Sequence, residues 1–469
     1  MPTTSILFTA ISGIIVFLAL SYCVLLPVAL RQIGSHLLRR TTPKRTAILE
    51  SLGAGADGRV IGFFHPYCNA GGGGERVLWA AIEAVQKKYP HVMSVVYTGD
   101  EAAPSDILYR AETRFSIPLD HSRITFVYLT TRQYVDATTW PHFTLAGQSL
   151  GSLFLAYDAF QQLVPDIFID TMGYAFSVAL AKSLFAIPTG AYVHYPTIST
   201  DMLSSLPGAS LRTRIKRAYW KLFATAYSRC GAYVDEVMVN SNWTAAHVRS
   251  LWKRNVAVVF PPCAVTPLLQ LSLKGREKVL LCIAQFRPEK DHAMLIAAFA
   301  RFWNGTEKHK DAKLVLVGSV RHEEDATRVQ DLRNQARQLG VSERVEFVTD
   351  APWPDVQKWL GKAWVGANAM WNEHFGIGVV EYQAAGLIGV VHNSGGPKID
   401  IVIPGTGFHA KDEKEFAEGF EKALGLGEDE VMEMRKAAKE SAKRFDETTF
   451  EKGWLVAFDA LMKLERNSH

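Results

Sequence analysis

Glu373 and Glu381, in the run Trp371-Asn-Glu373-His-Phe375-Gly376-Ile377-Gly-Val-Val-Glu381, are the residues whose type and spacing point most directly to chemistry. With Glu373 in a loop and Glu381 in the helix that follows, one carboxylate meets a reacting sugar while the other accepts hydrogen bonds from ribose hydroxyls. Taken alone, the pair also reads as two unrelated surface glutamates. Arg287 and Lys290, in Arg287-Pro-Glu-Lys290, follow an apolar run and precede a helix. At that end of an open sheet two cations neutralise a departing diphosphate, or else form a solvated basic turn. The glycines Gly72, Gly73 and Gly74, in Gly71-Gly-Gly-Gly-Glu75-Arg76, lie between an apolar run and the start of helical periodicity. There backbone N–H groups approach an anion at the positive end of a helix, the plain alternative being a flexible loop. Gly395 and Gly396, in Asn393-Ser-Gly-Gly-Pro397, form another such turn, able to present N–H groups to a sugar or phosphates.

What these motifs lack also narrows the chemistry. The contiguous glycines are not the spaced Gly-x-Gly-x-x-Gly of a dinucleotide site and carry no Lys-Ser/Thr of a P-loop, which argues against a nicotinamide dehydrogenase. No Asp-x-Asp occurs, so the usual carboxylate clamp for a divalent cation on a sugar nucleotide is missing. A metal-independent reaction with no cofactor is therefore expected. No carboxylate stands out as a covalent nucleophile, so front-face attack is expected, the donor's β-phosphate oxygen taking the proton of the acceptor hydroxyl.

Short β-branched runs alternating with longer amphipathic ones must position these residues, the pattern of parallel sheets covered by helices. Candidate strands begin at Val60, Met93, Ile124, Ile167, Ala191, Glu236 and Ala257; after a polar break near Ser272–Glu277 they resume at Lys278, Lys313, Arg344, Trp364 and Ile388. The reading is α/β, with a membrane anchor and linker over 1–57 and Rossmann-like domains over 58–272 and 273–445. A C-terminal helix over 446–469 packs back toward the first domain.

The chain has 469 residues and a formal net charge of +4, too mild to imply nucleic-acid binding. Its five scattered cysteines form no Cys-x-x-Cys pair, which argues against a disulfide framework or a zinc site. Ile6 to Leu30 contains no charge and, as a helix about 37 Å long, is long enough to span a membrane. Arg31, Arg39, Arg40, Lys44 and Arg45 follow, with no acidic residue before Glu50, so the positive-inside rule places the N-terminus in the lumen and the domains in the cytosol. In that topology the sequons at Asn242 and Asn304 are chance matches. Between Asp201 and Asp235 six basic residues and no acidic one accompany an apolar stripe at helical spacing, Leu211, Ile215, Tyr219, Leu222 and Ala226. This describes either a helix lying on an anionic membrane or an ordinary helix with a core-facing stripe.

Taken in order, the glycine turn, Arg-Pro-Glu-Lys290, the glutamate pair and Ser-Gly-Gly-Pro397 resemble glycosyltransferase family 4, over nearly everything after residue 58. The runs His65-Pro-Tyr-Cys-Asn-Ala, Asp170-Thr-Met-Gly-Tyr-Ala-Phe176 and Gln285-Phe-Arg-Pro-Glu-Lys290 look most like its mannosyltransferases of asparagine-linked glycosylation. The resemblance implies a GT-B fold, two Rossmann-like domains facing a central cleft. It implies GDP-mannose as donor, dolichol-pyrophosphate-linked oligosaccharide as acceptor and α-1,2 linkages made with retention as the fourth and fifth mannoses. It further implies work at the cytosolic face of the endoplasmic reticulum membrane, beside other mannosyltransferases there. By position it assigns Lys290 to the donor diphosphate, Glu381 to the ribose, Glu373 to the transferred sugar and His194 to the reacting centre; Phe375, Gly376 and Ile377 count among the donor-binding residues. Gln285 stands where the family usually has arginine, with Arg287 two residues on. Another nucleotide sugar or polyprenyl acceptor, or a non-catalytic sugar-nucleotide scaffold, stays open at this point.

Overall fold

The computed structural model describes residues 24–53, 58–204 and 210–466. The chain divides into two compact units. One comprises Met1–Met238, His247–Ala257 and Trp454–His469; the other comprises Val239–Ala246 and Val258–Gly453.

The first unit opens with helix α1 (Leu26–Ser51), followed by β1 (Arg59–Phe64), α2 (Gly73–Lys88), β2 (Val92–Thr98), α3 (Pro104–Phe115) and β3 (Ile124–Tyr128). It continues through α4 (Thr144–Gln162), β4 (Ile167–Asp170), α5 (Ala175–Phe185), β5 (Thr189–Val193), α6 (Leu211–Gly231) and β6 (Glu236–Val239); α7 (Asn242–Trp252) and β7 (Ala257–Val258) are each divided, with Asn242–Ala246 and Val258 counted in the second unit. The sheet order is β3-β2-β1-β4-β5-β6-β7. β1 pairs in parallel with both β2 and β4. The chain order therefore reverses beside β1, and in open α/β sheets such a switch point, at the carboxyl ends of the strands, is where ligands bind.

The segment that the sequence reads as anchor and linker is helical from Leu26 and packs on this unit. Arg45 clamps both oxygens of Asp166 at 2.7 Å, and Asp166 in turn accepts the Val60 N–H at 2.8 Å, tying α1 to the start of β1. The apolar run Ile6–Leu30 lies, up to residue 23, outside the described residues. Among the described residues no helix is long and apolar enough to cross a membrane.

The second unit holds β8 (Glu277–Ile283), α8 (His292–Gly305), β9 (Lys313–Gly318), α9 (Glu323–Gln338), β10 (Val345–Thr349), α10 (Trp353–Lys362) and β11 (Ala363–Asn368). After these come α11 (Ile377–Ala385), β12 (Ile388–His392), β13 (Gly407–Ala410), α12 (Glu413–Gly425), α13 (Glu428–Ala442) and the start of α14 (Glu447–Arg466). Its sheet runs β10-β9-β8-β11-β12-β13, all parallel, so a second switch point lies between β8 and β11. Leu280, Val365 and Val390 are wholly buried, the mark of strands covered on both faces. The latter part of α14 belongs to the first unit, where Trp454 packs on Phe63 and Asp459 holds Lys88 at 2.6 Å.

Candidate active site

In the second unit the strand ends beside the switch point carry the charged residues singled out in the sequence. Lys290 ends the single turn Pro288–Lys290 after β8, and its backbone N–H donates to the Arg287 carbonyl at 3.1 Å. Glu373 lies in the loop between β11 and α11, and Glu381 within α11, as the spacing predicts. The Lys290 Nζ donates to Glu373 Oε2 at 2.5 Å and touches the Met370 sulfur at 3.1 Å, with both side chains largely buried. An ammonium has three donors, so one bond to Glu373 leaves capacity for a phosphate oxygen. Arg287 is half-buried on the same turn. Its guanidinium has no partner among the described residues.

The loop bearing Glu373 is fixed from three sides. Gly396 donates its N–H to the Glu373 carbonyl at 2.8 Å. A Cβ on Gly395, whose φ is +68°, would stand 2.3 Å from that carbonyl oxygen, so only glycine permits the approach. The sequence reading offers both glycines to the ligand; the Gly396 N–H is instead consumed in holding the loop that bears Glu373. Ser394 Oγ accepts the Asn372 N–H at 2.8 Å, and Ser241 Oγ donates to the His374 carbonyl at 2.6 Å. Trp243 stacks on His374 with the rings 8° from parallel. Asn242 meets Asp400 through both its backbone and its side-chain amide, at 2.9 and 2.6 Å, so the amide of that sequon is engaged.

Beneath the loop, Tyr382 joins the two central strands. Its phenol oxygen accepts the Ile283 N–H at 2.6 Å and donates to the Ala367 carbonyl at 3.4 Å, linking the ends of β8 and β11. The ring occupies space that a Cβ on Gly366 would enter, 2.3 Å away. Nearby Cys282 is buried, and burial pushes its thiol up to about 12, so it is no nucleophile. Tyr382 and Gly366 were not singled out in the sequence. A tyrosine within an apolar helix gives no signal of the strand ends it will bridge.

In the first unit the predicted residues gather at the ends of β1 and β5. Gly72 caps α2, and Gly73 and Gly74 open it. Glu75, itself buried, accepts the N–H groups of Ala70 and Gly72 at 2.7 and 2.5 Å. The chain's own carboxylate thus takes the Gly72 donor that the sequence reading offers to an anion. Among the described residues the N–H groups of Gly73 and Gly74 have no partner. A Cβ on Gly74 would lie 3.5 Å from Nε2 of His194 and 3.9 Å from Cε1 of His65, so two imidazoles flank the helix start.

His65 is fully buried, and its Nδ1 meets Thr171 Oγ1 at 2.7 Å while that hydroxyl donates to the Phe64 carbonyl at 3.2 Å. Burial, reinforced by His194, pushes its pKa down to about 3, so the ring is neutral at physiological pH. His65 was quoted in a sequence motif without a role; its place at the end of an apolar strand, before proline, is the signal that marks it. Beside it Asp170 is wholly buried and holds the turn that precedes α5, accepting N–H groups from Met172, Gly173 and Tyr174. Burial raises its pKa to about 6 against those hydrogen bonds.

Two parallel sheets, each with its residues at a switch point, are the architecture shared with solved glycosyltransferases. A glycosyltransferase from Rickettsia africae superposes with a TM-score of 0.62, covering 87% of this chain and 99% of that one at 15% identity. The Anabaena protein Alr3699/HepE, solved with UDP and glucose, gives 0.60 over 86% and 99% at 16% identity. The fold is therefore the GT-B arrangement that these proteins have, two Rossmann-like domains. Residues 58–252 match the family described as ALG11 mannosyltransferase N-terminus, and residues 270–445 match glycosyl transferases group 1. A Neurospora crassa protein named GDP-Man:Man(3)GlcNAc(2)-PP-Dol alpha-1,2-mannosyltransferase is 55% identical, over 87% of this chain and 80% of its own. A Homo sapiens protein of the same name is 44% identical, over 91% and 92%. The chain belongs to the ALG11 mannosyltransferase family.

Proposed function

We propose that this enzyme transfers mannose from GDP-mannose to a dolichol-pyrophosphate-linked oligosaccharide, forming α-1,2 linkages, and that the second unit holds the donor. The observation that carries the site assignment is the Lys290–Glu373 pair at the switch point of the second sheet. Lys290 and Arg287 neutralise the diphosphate as it leaves, Glu373 accepts hydrogen bonds from the mannose hydroxyls, and Glu381 accepts them from the ribose. Phe375, Gly376 and Ile377 shape the donor site, and His194 is assigned to the sugar end of the reaction. In the transfer the C1–O bond to the β-phosphate breaks and the acceptor oxygen bonds C1 on the same face. The hydroxyl proton passes to the departing phosphate oxygen, so configuration is retained and no divalent cation is required. The fourth and fifth mannoses are added in this way at the cytosolic face of the endoplasmic reticulum, with the residues before α1 as anchor and the N-terminus lumenal.

The test offers the purified protein a panel of nucleotide sugars with a dolichol-linked Man(3)GlcNAc(2) acceptor, with and without a chelator. Mannose incorporation from GDP-mannose alone, undiminished by chelator and removed by an α-1,2-mannosidase, is the expected result. Transfer from another donor, or a product resistant to that mannosidase, would refute it.

A further inference from the structure

The loops that follow β1, β2 and β3 bring together a second polar cluster in the first unit, at the strand ends beside its switch point, and no step of the proposed transfer uses it. Tyr67 stands just beyond the end of β1, Asp100 just beyond β2, and Arg132 opens the turn Arg132–Val135 that leads to Asp136 after β3. Tyr67 Oη donates to Asp136 Oδ1. The Arg132 guanidinium lies over the tyrosine ring, 5.1 Å from its centre, and donates to Asp100 Oδ1 at 2.7 Å. Asp100 Oδ2 accepts the Asn69 N–H at 3.0 Å, which returns to the loop that carries Tyr67. A Cβ on Gly99 would stand 2.4 Å from Cδ of Arg132, so the arginine crosses the end of β2 where glycine leaves it room. These contacts close a ring that holds Tyr67 and Asp136 in one place.

One oxygen of the ring is left over. Arg132 is paired with Asp100, and both oxygens of Asp100 are engaged. Asp136 takes a single side-chain bond, from Tyr67; it is half-buried, and among the described residues its Oδ2 has no partner. Burial first, and the bond to Asp136 second, raise the Tyr67 phenol above its usual range, so it stays a donor at physiological pH. A carboxylate oxygen held away from bulk water with no donor of its own gains from the donors a ligand brings. Two carboxylates outnumber the one cation within the ring, so a phosphate group is repelled there. A neutral polyol, whose hydroxyl groups donate to the carboxylate, is the class of ligand that fits.

We propose that Asp136 reads a hydroxyl group of the acceptor's terminal sugar, with Tyr67 and Arg132 as the positioning residues that aim it. The inference rests on the proposed transfer to an oligosaccharide and deepens it, by naming the side chain that discriminates among acceptors.

The full chain is assayed with a Man(3)GlcNAc(2) acceptor on a short isoprenoid diphosphate, and with analogues each lacking one hydroxyl of the mannose that is extended. The parent is expected to lose roughly tenfold in kcat/KM on the analogue without the hydroxyl that Asp136 reads. Asp136→Ala is expected to raise KM for the intact acceptor roughly tenfold, to leave KM for GDP-mannose within about twofold of the parent, and to use intact and deoxy acceptors about equally. Asp136→Asn, which keeps an accepting oxygen, recovers part of the loss. Tyr67→Phe removes only the donor that aims the carboxylate and shows the same pattern at roughly fivefold, which carries the test should the alanine variant not fold. A merely structural role would lower stability without coupling to the missing hydroxyl. A deoxy penalty as large in the variants as in the parent for every analogue, or equal rises in both KM values, would overturn the assignment. Should the parent transfer to no acceptor, the transfer reading falls, and ligand-observed NMR with free Man(3)GlcNAc(2) decides the cluster. Line broadening by the parent and not by Asp136→Ala supports it; equal broadening, or none with either, overturns it.

Discussion

The two sheets end in sites of opposite electrical character. In the second unit the strand ends carry an ammonium and a carboxylate in direct contact, held in a loop that glycine, serine and tyrosine contacts fix. In the first, the strand ends carry a neutral, buried histidine and a glycine turn whose loop the chain's own Glu75 already braces. The contrast teaches a division of labour. The charged end suits a leaving diphosphate, whose charge grows during reaction; the neutral end suits hydroxyl groups, which need direction but no charge.

That contrast is broken most severely at Lys290. Lys290→Met strips the cation from the charged end and is expected to lower kcat/KM roughly a thousandfold, with weaker GDP binding by calorimetry. It also leaves Glu373 without its partner. Gly366→Ala attacks the same end from below by pushing Tyr382 off the strand ends. An overpacked core of this kind costs about 1–3 kcal/mol, read as a lower midpoint in denaturant. At the neutral end, Glu75→Ala leaves two N–H groups unsatisfied and costs about 1–2 kcal/mol in the same assay.

The smallest effect is a change of pH slope. His65 has a folded pKa near 3 against an ordinary 6.5, so below pH 6.5 the unfolded chain binds a proton that the folded one refuses. Stability from this group is therefore full above pH 6.5 and is lost as pH falls toward 3. Asp170, raised to about 6, acts oppositely: between its ordinary 3.8 and 6 the folded chain holds the extra proton, so its contribution declines as pH rises through that window. Comparing His65→Asn with the parent isolates the histidine: the parent's stability relative to the variant, read from denaturant midpoints, is expected to fall as pH drops from 6.5 toward 3.

Much of the scaffold was legible because buried parallel strands are continuous β-branched runs: Ile167–Asp170 and Lys313–Gly318 fall where those runs lie. The strand β13 escaped because Gly407–Ala410 is four residues, largely unburied, and lacks that run. In the site, spacing alone placed Glu373 in a loop and Glu381 in a helix. It was silent on the Lys290–Glu373 contact, because residues 83 positions apart meet only through the order of the sheet. Likewise the glycine turn looked open to a ligand until Glu75, three residues on from Gly72, was seen folded back on it. On α6 the apolar stripe was visible, but only the packed structure shows Leu211, Ile215 and Leu222 facing out and Phe223 and Tyr227 facing in.

In the proposed reaction Glu373 acts on the sugar and Lys290 on the diphosphate. Replacing Glu373 by glutamine keeps the side chain's shape and a hydrogen-bonding oxygen while removing its charge, so binding and transfer separate. Measured together, GDP affinity is expected to stay within about threefold of the parent while single-turnover mannose transfer falls roughly a thousandfold. Parent-like transfer by Glu373→Gln, or loss of GDP binding equal to its loss of rate, would contradict that assignment.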